Sequence, residues 1–206
     1  MTQKERQERS KNEIFQAALE EFGNYDYHAV TMESICAKHG ISKGMMYHYY
    51  SSKDELFLLC VQKTFEALKL YIEETVPRLS GENTLQTVQN YFMSREYFFE
   101  LHPREKRIFE GAMLHPPKHL AESIYELRGP IRKMNRDFLE TLVASMTLRP
   151  ELSAEKAAWY LESLEYIFQP LLIQYQSRKE AQDLHSLLET AREILDMALF
   201  GVLQHF

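Results

Sequence analysis

Apolar residues recur at helical spacing along the whole chain, and strand-like alternation is almost absent. Ile14, Ala18 and Phe22, with Phe15 and Leu19 beside them, form one face of a first helix. That helix should end within residues 23–26, because Gly, Asn and Asp tolerate a left-handed residue. Further helices are expected where the period resumes, each closed by Gly or Pro: a fourth up to Pro77, then 84–101 and 104–114. Residues 118–148 carry Gly129-Pro130 in their middle, which predicts two helices or one sharp kink. Helices over 153–179, kinked at Pro170, and over 180–204 complete the chain. Seven Gly and seven Pro in 206 residues are too few for many short strands and turns. The expected fold class is all-α, with about nine helices.

Residues 31–49 read as two short helices joined by the tight turn His39-Gly40-Ile41-Ser42, the spacing of a helix-turn-helix. Thr31 is a good N-cap for the first of the pair, which carries Met32, Ile35 and Cys36. Gly40 stops it, Ile41 pins the turn to the core, and Ser42 caps the second. Ser51 or Ser52 caps the fourth helix, with Asp54 and Glu55 favourable in its first turn. From residue 34 to residue 53 there are 20 residues without one Asp or Glu. Lys38, Lys43, Lys53, His39 and His48 lie among them, so a polyanion is expected to approach without meeting a carboxylate. On one helix Tyr47, His48, Tyr49 and Tyr50 point four ways, so at most two of them are buried.

This segment resembles the tetracycline-repressor (TetR) family of bacterial transcription regulators. The likeness rests on Ile14-Phe15-x-Ala17-Ala18-x-x-x-Phe22, then Tyr27, then Thr31-x-x-x-Ile35. It continues through Gly40-Ile41-Ser42-Lys43-Gly44-x-x-Tyr47-His48-Tyr49-Tyr50-x-Ser52-Lys53-x-Glu55-Leu56. It implies a three-helix DNA-binding headpiece over residues 1–54 and a helical dimerisation and ligand-sensing domain over 55–206. Thr31 would touch a phosphate. Ser42, Lys43, Gly44 and Met45 would open the recognition helix, with Lys43 and Met45 nearest the base edges. Tyr47 and His48 would meet phosphates or bases, and Tyr49 the backbone. Lys53 would bind a phosphate with help from the helix dipole. Three positions depart from the family pattern. Asp26 replaces a usual Gly, and a left-handed Asp would satisfy that position. His39 replaces a small residue and would face solvent or DNA. Met45 replaces a usual Thr or Ser, so any base contact there is apolar, as to a thymine methyl.

Residues 55–206 hold 18 of the 25 aromatics, which suits both a dimer interface and a ligand cavity. Leu184, Leu187, Leu188, Ala191, Ile194, Leu195, Ala198 and Val202 form a stripe at 3-4 spacing. The preceding helix carries a stripe of Leu161, Leu164, Phe168, Leu171 and Tyr175 and a second of Trp159, Tyr166 and Ile173. The resemblance implies a four-helix dimer interface from these two helices of each subunit. Candidates to line an effector cavity are Tyr91, Tyr97, Met113, Tyr125, Trp159 and Tyr166, with Glu162 or Arg128 as polar partners. Core packing competes with that role at each of them.

The chain carries 24 Lys+Arg against 30 Asp+Glu, a net charge of −6 that argues at first against nucleic acid. Residues 1–54 hold seven basic and eight acidic residues, a balance of −1, so five of the six surplus charges lie beyond them. The acidic total therefore belongs to the expected sensor domain. Two distant cysteines, Cys36 and Cys60, form neither a disulfide framework nor a zinc spacing, and read as buried hydrophobes. His115 and His119 are separated by Pro116-Pro117 and share no helical face for a metal. No phosphate loop, nucleophile elbow or HExxH is present, so neither a cofactor nor catalysis is expected. Residues 1–12 lack the apolar core of a signal peptide, and no apolar run approaches the roughly 20 residues of a membrane span, so a cytoplasmic protein is expected. The functional expectation is a ligand-responsive transcription regulator, repressing in the family's default direction. It would bind a palindromic double-stranded DNA operator as a homodimer and answer an unknown small-molecule effector. The rival is a helical small-molecule-binding protein or enzyme with a vestigial headpiece.

Overall fold

The computed structural model describes residues 2–75, 84–145, 147, 148, 150–157, 159, 160 and 183–202. Among them nine α-helices are bounded: α1 (Gln3–Asn24), α2 (Met32–His39), α3 (Lys43–Tyr49), α4 (Lys53–Thr75), α5 (Thr84–Leu101), α6 (Pro103–Met113), α7 (Ala121–Leu127), α8 (Gly129–Ala144) and α9 (Leu184–Val202). Short 3-10 turns at Tyr27–Ala29 and Lys118–Leu120 precede α2 and α7. The all-α expectation holds. Residues 118–148 divide at Arg128 into α7 and α8. The last helix begins at Leu184, later than the period suggested, because the Asp183 carboxylate accepts the Ser186 N–H at 2.9 Å and caps it there. The expected span 161–179 lies outside the described residues.

The chain forms two compact units. Residues 1–67 and 99–127 make the first, and residues 68–98 and 128–206 the second. The first unit is thus wider than the segment expected to meet DNA, because α6 and α7 belong to it.

Within the first unit, α1 starts well before its apolar face. A capping box holds its end: the Thr2 hydroxyl accepts the Glu5 N–H at 3.2 Å, and the Glu5 carboxylate accepts the Thr2 N–H at 2.8 Å. The helix buries Ile14, Ala17, Ala18 and Phe22. It ends at Asn24 with no left-handed residue, since Tyr25 and Asp26 are both extended. Gly23 has a different purpose from the terminator read in the sequence. A Cβ there would lie 2.6 Å from Arg104 Cβ, so α6 crosses α1 at this glycine. Asp26, also not left-handed, lies 3.6 Å from Arg107 of α6, and Glu20 lies 3.7 Å from Arg104. Phe57 of α4 meets Phe22 and Tyr27 edge-on, with ring centroids 5.1 and 5.0 Å away. Phe109 of α6 packs against Phe65 and Phe99. Cys36 and Cys60 are free and buried, and burial pushes both thiols up.

Within the second unit, α5 and α8 share a polar knot. The Tyr91 hydroxyl donates to Asn135 Oδ1 at 2.8 Å, and the buried Arg95 donates to the same oxygen at 2.7 Å and to the Tyr91 carbonyl at 2.6 Å. The Tyr91 ring stacks flat on Phe138, with centroids 3.6 Å apart. Leu184 and Leu188 of α9 are buried.

Candidate nucleic-acid interface

The segment 31–50 folds as its residue types dictate. Thr31 Oγ1 accepts the Ser34 N–H and Ser34 Oγ accepts the Thr31 N–H, both at 3.0 Å, so α2 starts in a closed box. The Thr31 hydroxyl proton is left over from that box as a donor. Gly40 sits at φ 66 and ψ 21, in the left-handed region, and ends α2. The next residue, Ile41, is 4% exposed and donates its N–H to the Cys36 carbonyl at 3.1 Å. Ser42 Oγ accepts the Met45 N–H at 3.1 Å and opens α3.

Helix α3 buries Met46 completely. Lys43, Gly44, Tyr47 and His48 are exposed, and Met45, Tyr49 and Tyr50 are half-buried. None of the four aromatics at 47–50 is a fully buried core residue. The His48 and Tyr49 rings meet edge-on, 4.7 Å apart. Gly44 has nothing within 4 Å of a built Cβ, so packing does not require glycine there.

Three side chains are engaged in ways the sequence did not suggest. The acid-free stretch is not acid-free in space, because Glu33 lies on α2 beside α3. Its carboxylate accepts the Tyr47 hydroxyl at 3.2 Å. Its own backbone N–H, then Tyr47, then the nearby charge of Lys43 hold the Glu33 carboxyl below its ordinary range. The same bond pushes the Tyr47 phenol up. His39 is only partly open to solvent. It is half-buried, 3.3 Å from the buried Glu21, which also takes Lys38 at 2.7 Å. Lys38 lies over the Tyr25 ring and its ammonium is pushed up, chiefly by the Glu21 bond. Two of the expected basic side chains are therefore engaged between α2 and α1.

Lys53 begins α4. Its ammonium donates to the Tyr27 carbonyl at 3.1 Å and lies 4.0 Å above the Tyr27 ring centroid. The next residue, Asp54, accepts the Tyr27 hydroxyl and lies 2.9 Å from His119 Nε2. Those two partners hold the Asp54 carboxyl below its ordinary value. Burial first, and Asp54 second, push the Tyr27 phenol far up. Ser52, not Ser51, caps the helix, accepting the Glu55 N–H at 3.2 Å.

Met113 and Tyr125 belong to the first unit, and Tyr91, Tyr97 and Trp159 to the second. Tyr91 is core, with its phenol pushed up by burial. Met113 is buried, whereas Tyr97, Tyr125 and Trp159 are exposed. Helical geometry explains Tyr97: Tyr91, Ser94, Arg95 and Phe98 turn one face of α5 inward, and residue 97 falls off that face. Glu162 and Tyr166 lie outside the described residues. So do Leu161, Leu164 and Phe168 of the expected dimer interface. Leu187 and Ile194 are half-buried on α9. Ala191, Leu195, Ala198 and Val202 belong to α9 by backbone, and their side chains lie outside the described set. Among the described residues, no cluster of His, Cys, Asp and Glu is arranged to hold a metal.

Two short helices locked at a left-handed glycine, on an all-α scaffold, define a helix-turn-helix protein. Residues 14–60 match the model of the bacterial regulatory proteins of the tetR family. That match takes in the helix-turn-helix and the start of α4. It is 28% identical over 116 residues to the HTH-type transcriptional activator FasR of Mycolicibacterium smegmatis, covering 54% of this chain and 51% of that one. The chain thus spans about half the length of the curated relatives it matches. Solved structures share the fold nearly end to end. The fatty acid degradation regulator FadR of Bacillus halodurans gives a TM-score of 0.58 at 14% identity, over 90% of this chain and 97% of that one. A TetR family transcriptional regulator of Chloroflexus aurantiacus gives 0.53 at 21%, over 96% and 95%.

Proposed function

We propose that this chain is a cytoplasmic, ligand-responsive transcriptional repressor that binds a palindromic DNA operator as a homodimer. The observation that carries the reading is α3 itself. It presents Lys43, Gly44, Tyr47 and His48 outward from a turn fixed by Gly40 and Ile41. Residues 1–54 serve as the DNA-binding part, and residues 55–206 dimerise and sense the effector. Lys43 and Met45 read base edges. Thr31, Ser42, Gly44, Tyr47, His48, Tyr49 and Lys53 fix the register on phosphates and nearby atoms. Two-fold symmetry follows from the operator, since two recognition helices must enter successive major grooves roughly 34 Å apart. The effector favours a dimer with a different separation and so releases DNA. Helix α4 is the connecting lever, because it is continuous through residue 67, where the first unit gives way to the second.

A relative named as an activator and a solved neighbour named as a fatty acid degradation regulator leave the direction and the effector to experiment. The test is a gel-shift series with the region upstream of the chain's own gene. Sequence-preferring complexes that weaken steeply above about 50 mM salt are expected. Absence of such complexes at that salt favours the vestigial-headpiece rival.

A further inference from the structure

Lys53 is the first residue of α4 and the proposed phosphate contact, yet its ammonium is already bound to Tyr27, by the carbonyl at 3.1 Å and by the ring face at 4.0 Å. Lysine has three N–H donors, and the carbonyl uses one. The rest can meet a phosphate while the side chain keeps its rotamer. A lysine ordered before binding avoids the entropy it would otherwise lose on contact. Tyr27 is itself fixed. Its ring meets Phe57 and its hydroxyl donates to Asp54, whose other oxygen takes His119 at 2.9 Å. His119 also lies 3.4 Å from the Tyr27 hydroxyl. Residues 27, 54 and 119 come from three distant segments of the first unit.

We propose that Tyr27 is a positioning residue for phosphate contact by Lys53, and that the Asp54–His119 pair makes this position depend on the Lys118–Leu120 turn. The inference rests on the DNA-binding reading. It adds that the turn before α7, within the same unit as the recognition helix, bears on affinity without touching DNA.

The test is a double-mutant cycle on the full chain, with a mixed-sequence duplex at low salt as probe. Tyr27→Leu should weaken binding by about two- to tenfold, the range of one side chain's ordering entropy. On a Lys53→Ala background the same substitution should change nothing, because Tyr27 acts through Lys53. Tyr27→Phe, which keeps the ring and carbonyl, should lose less, and His119→Gln should show the same small loss and the same silence on Lys53→Ala. Tighter binding by Tyr27→Leu, or a loss that persists without Lys53, would overturn the proposal. A DNA-free arm separates it from the reading it rests on. After reductive ¹³C-methylation the Lys53 signal should be ring-shifted, stay so in Tyr27→Phe and collapse to the bulk in Tyr27→Leu. Duplex binding by a wild type with an unshifted Lys53 signal would remove the positioning alone. A shifted signal with no duplex binding would remove the DNA-binding reading and, with it, the role assigned to Tyr27.

Discussion

Gly23→Ala should destabilise the protein, although alanine is the better helix former. A Cβ at residue 23 would stand 2.6 Å from Arg104 Cβ and 3.0 Å from Arg104 Cα. Carbon atoms rest at about 3.5–4.0 Å, so the missing space is close to 1 Å. Arg104 cannot yield it by a rotamer change, because the obstruction is at the root of its side chain and in its backbone. The helices α1 and α6 must instead move apart. Overpacking of this kind costs about 1–3 kcal/mol, against a gain of at most about 1 kcal/mol in helix propensity. With the full propensity gain set against it, the net loss reaches about 2 kcal/mol, which lowers Tm by up to about 8 °C in a chain of this size. Gly111→Ala in α6 is the control, since nothing lies within 4 Å of a Cβ there. It should gain about 0.5–1 kcal/mol and raise Tm by a few degrees. Thermal melts of both variants, followed by circular dichroism, make the comparison. If the two variants rise together, α6 does not cross α1 at Gly23 and the boundary of the first unit is wrong.

Gly40→Ala should cost about 1–2 kcal/mol in urea unfolding, because φ is 66 there, whereas Gly40→Asn should cost less. A smaller loss for alanine than for asparagine would contradict the left-handed turn. Glu33→Gln should tighten binding to mixed-sequence DNA and return the Tyr47 phenol towards its ordinary value, read by ultraviolet titration, since the charged acceptor beside Tyr47 and Lys43 is gone. An unchanged phenol titration would remove that contact. In the second unit the Glu96 carboxylate, by its hydrogen bond and its charge, raises the His185 imidazole above its ordinary 6.5. The folded form thus holds the proton more tightly, so the pair stabilises fully below pH 6.5 and less as pH rises through the raised value. His185→Gln should therefore lower Tm more at acidic than at alkaline pH, and the opposite order would refute the pairing.

The helix-turn-helix was legible because its determinants are local. Thr31, Gly40, Ile41 and Ser42 each act within a few residues of themselves, and the structure uses each as its chemistry suggests. What sequence could not supply was anything set by a distant segment. Gly23 read as a terminator, because glycine near a helix end has that use more often than the close crossing that Arg104 reveals. Asp54 read as a partner of the helix dipole, while Tyr27 and His119 claim both its oxygens from 27 and 65 residues away. The acid-free stretch was true of the chain and false of the surface, since α2 returns Glu33 to the flank of α3. The aromatics of residues 55–206 carry no local signal separating core from surface: Tyr91 and Tyr97 stand six residues apart on one helix, one buried and the other exposed.

The central claim is that α3 selects DNA sequence and that two copies do so together. Selection from random duplexes with the full chain, repeated with Lys43→Ala and Met45→Ala, tests it most directly. The account predicts an inverted repeat with half-site centres about 10 base pairs apart or a multiple of that, and a changed half-site in each variant. Enrichment of a single unrepeated site, or the same half-site from wild type and both variants, would contradict it.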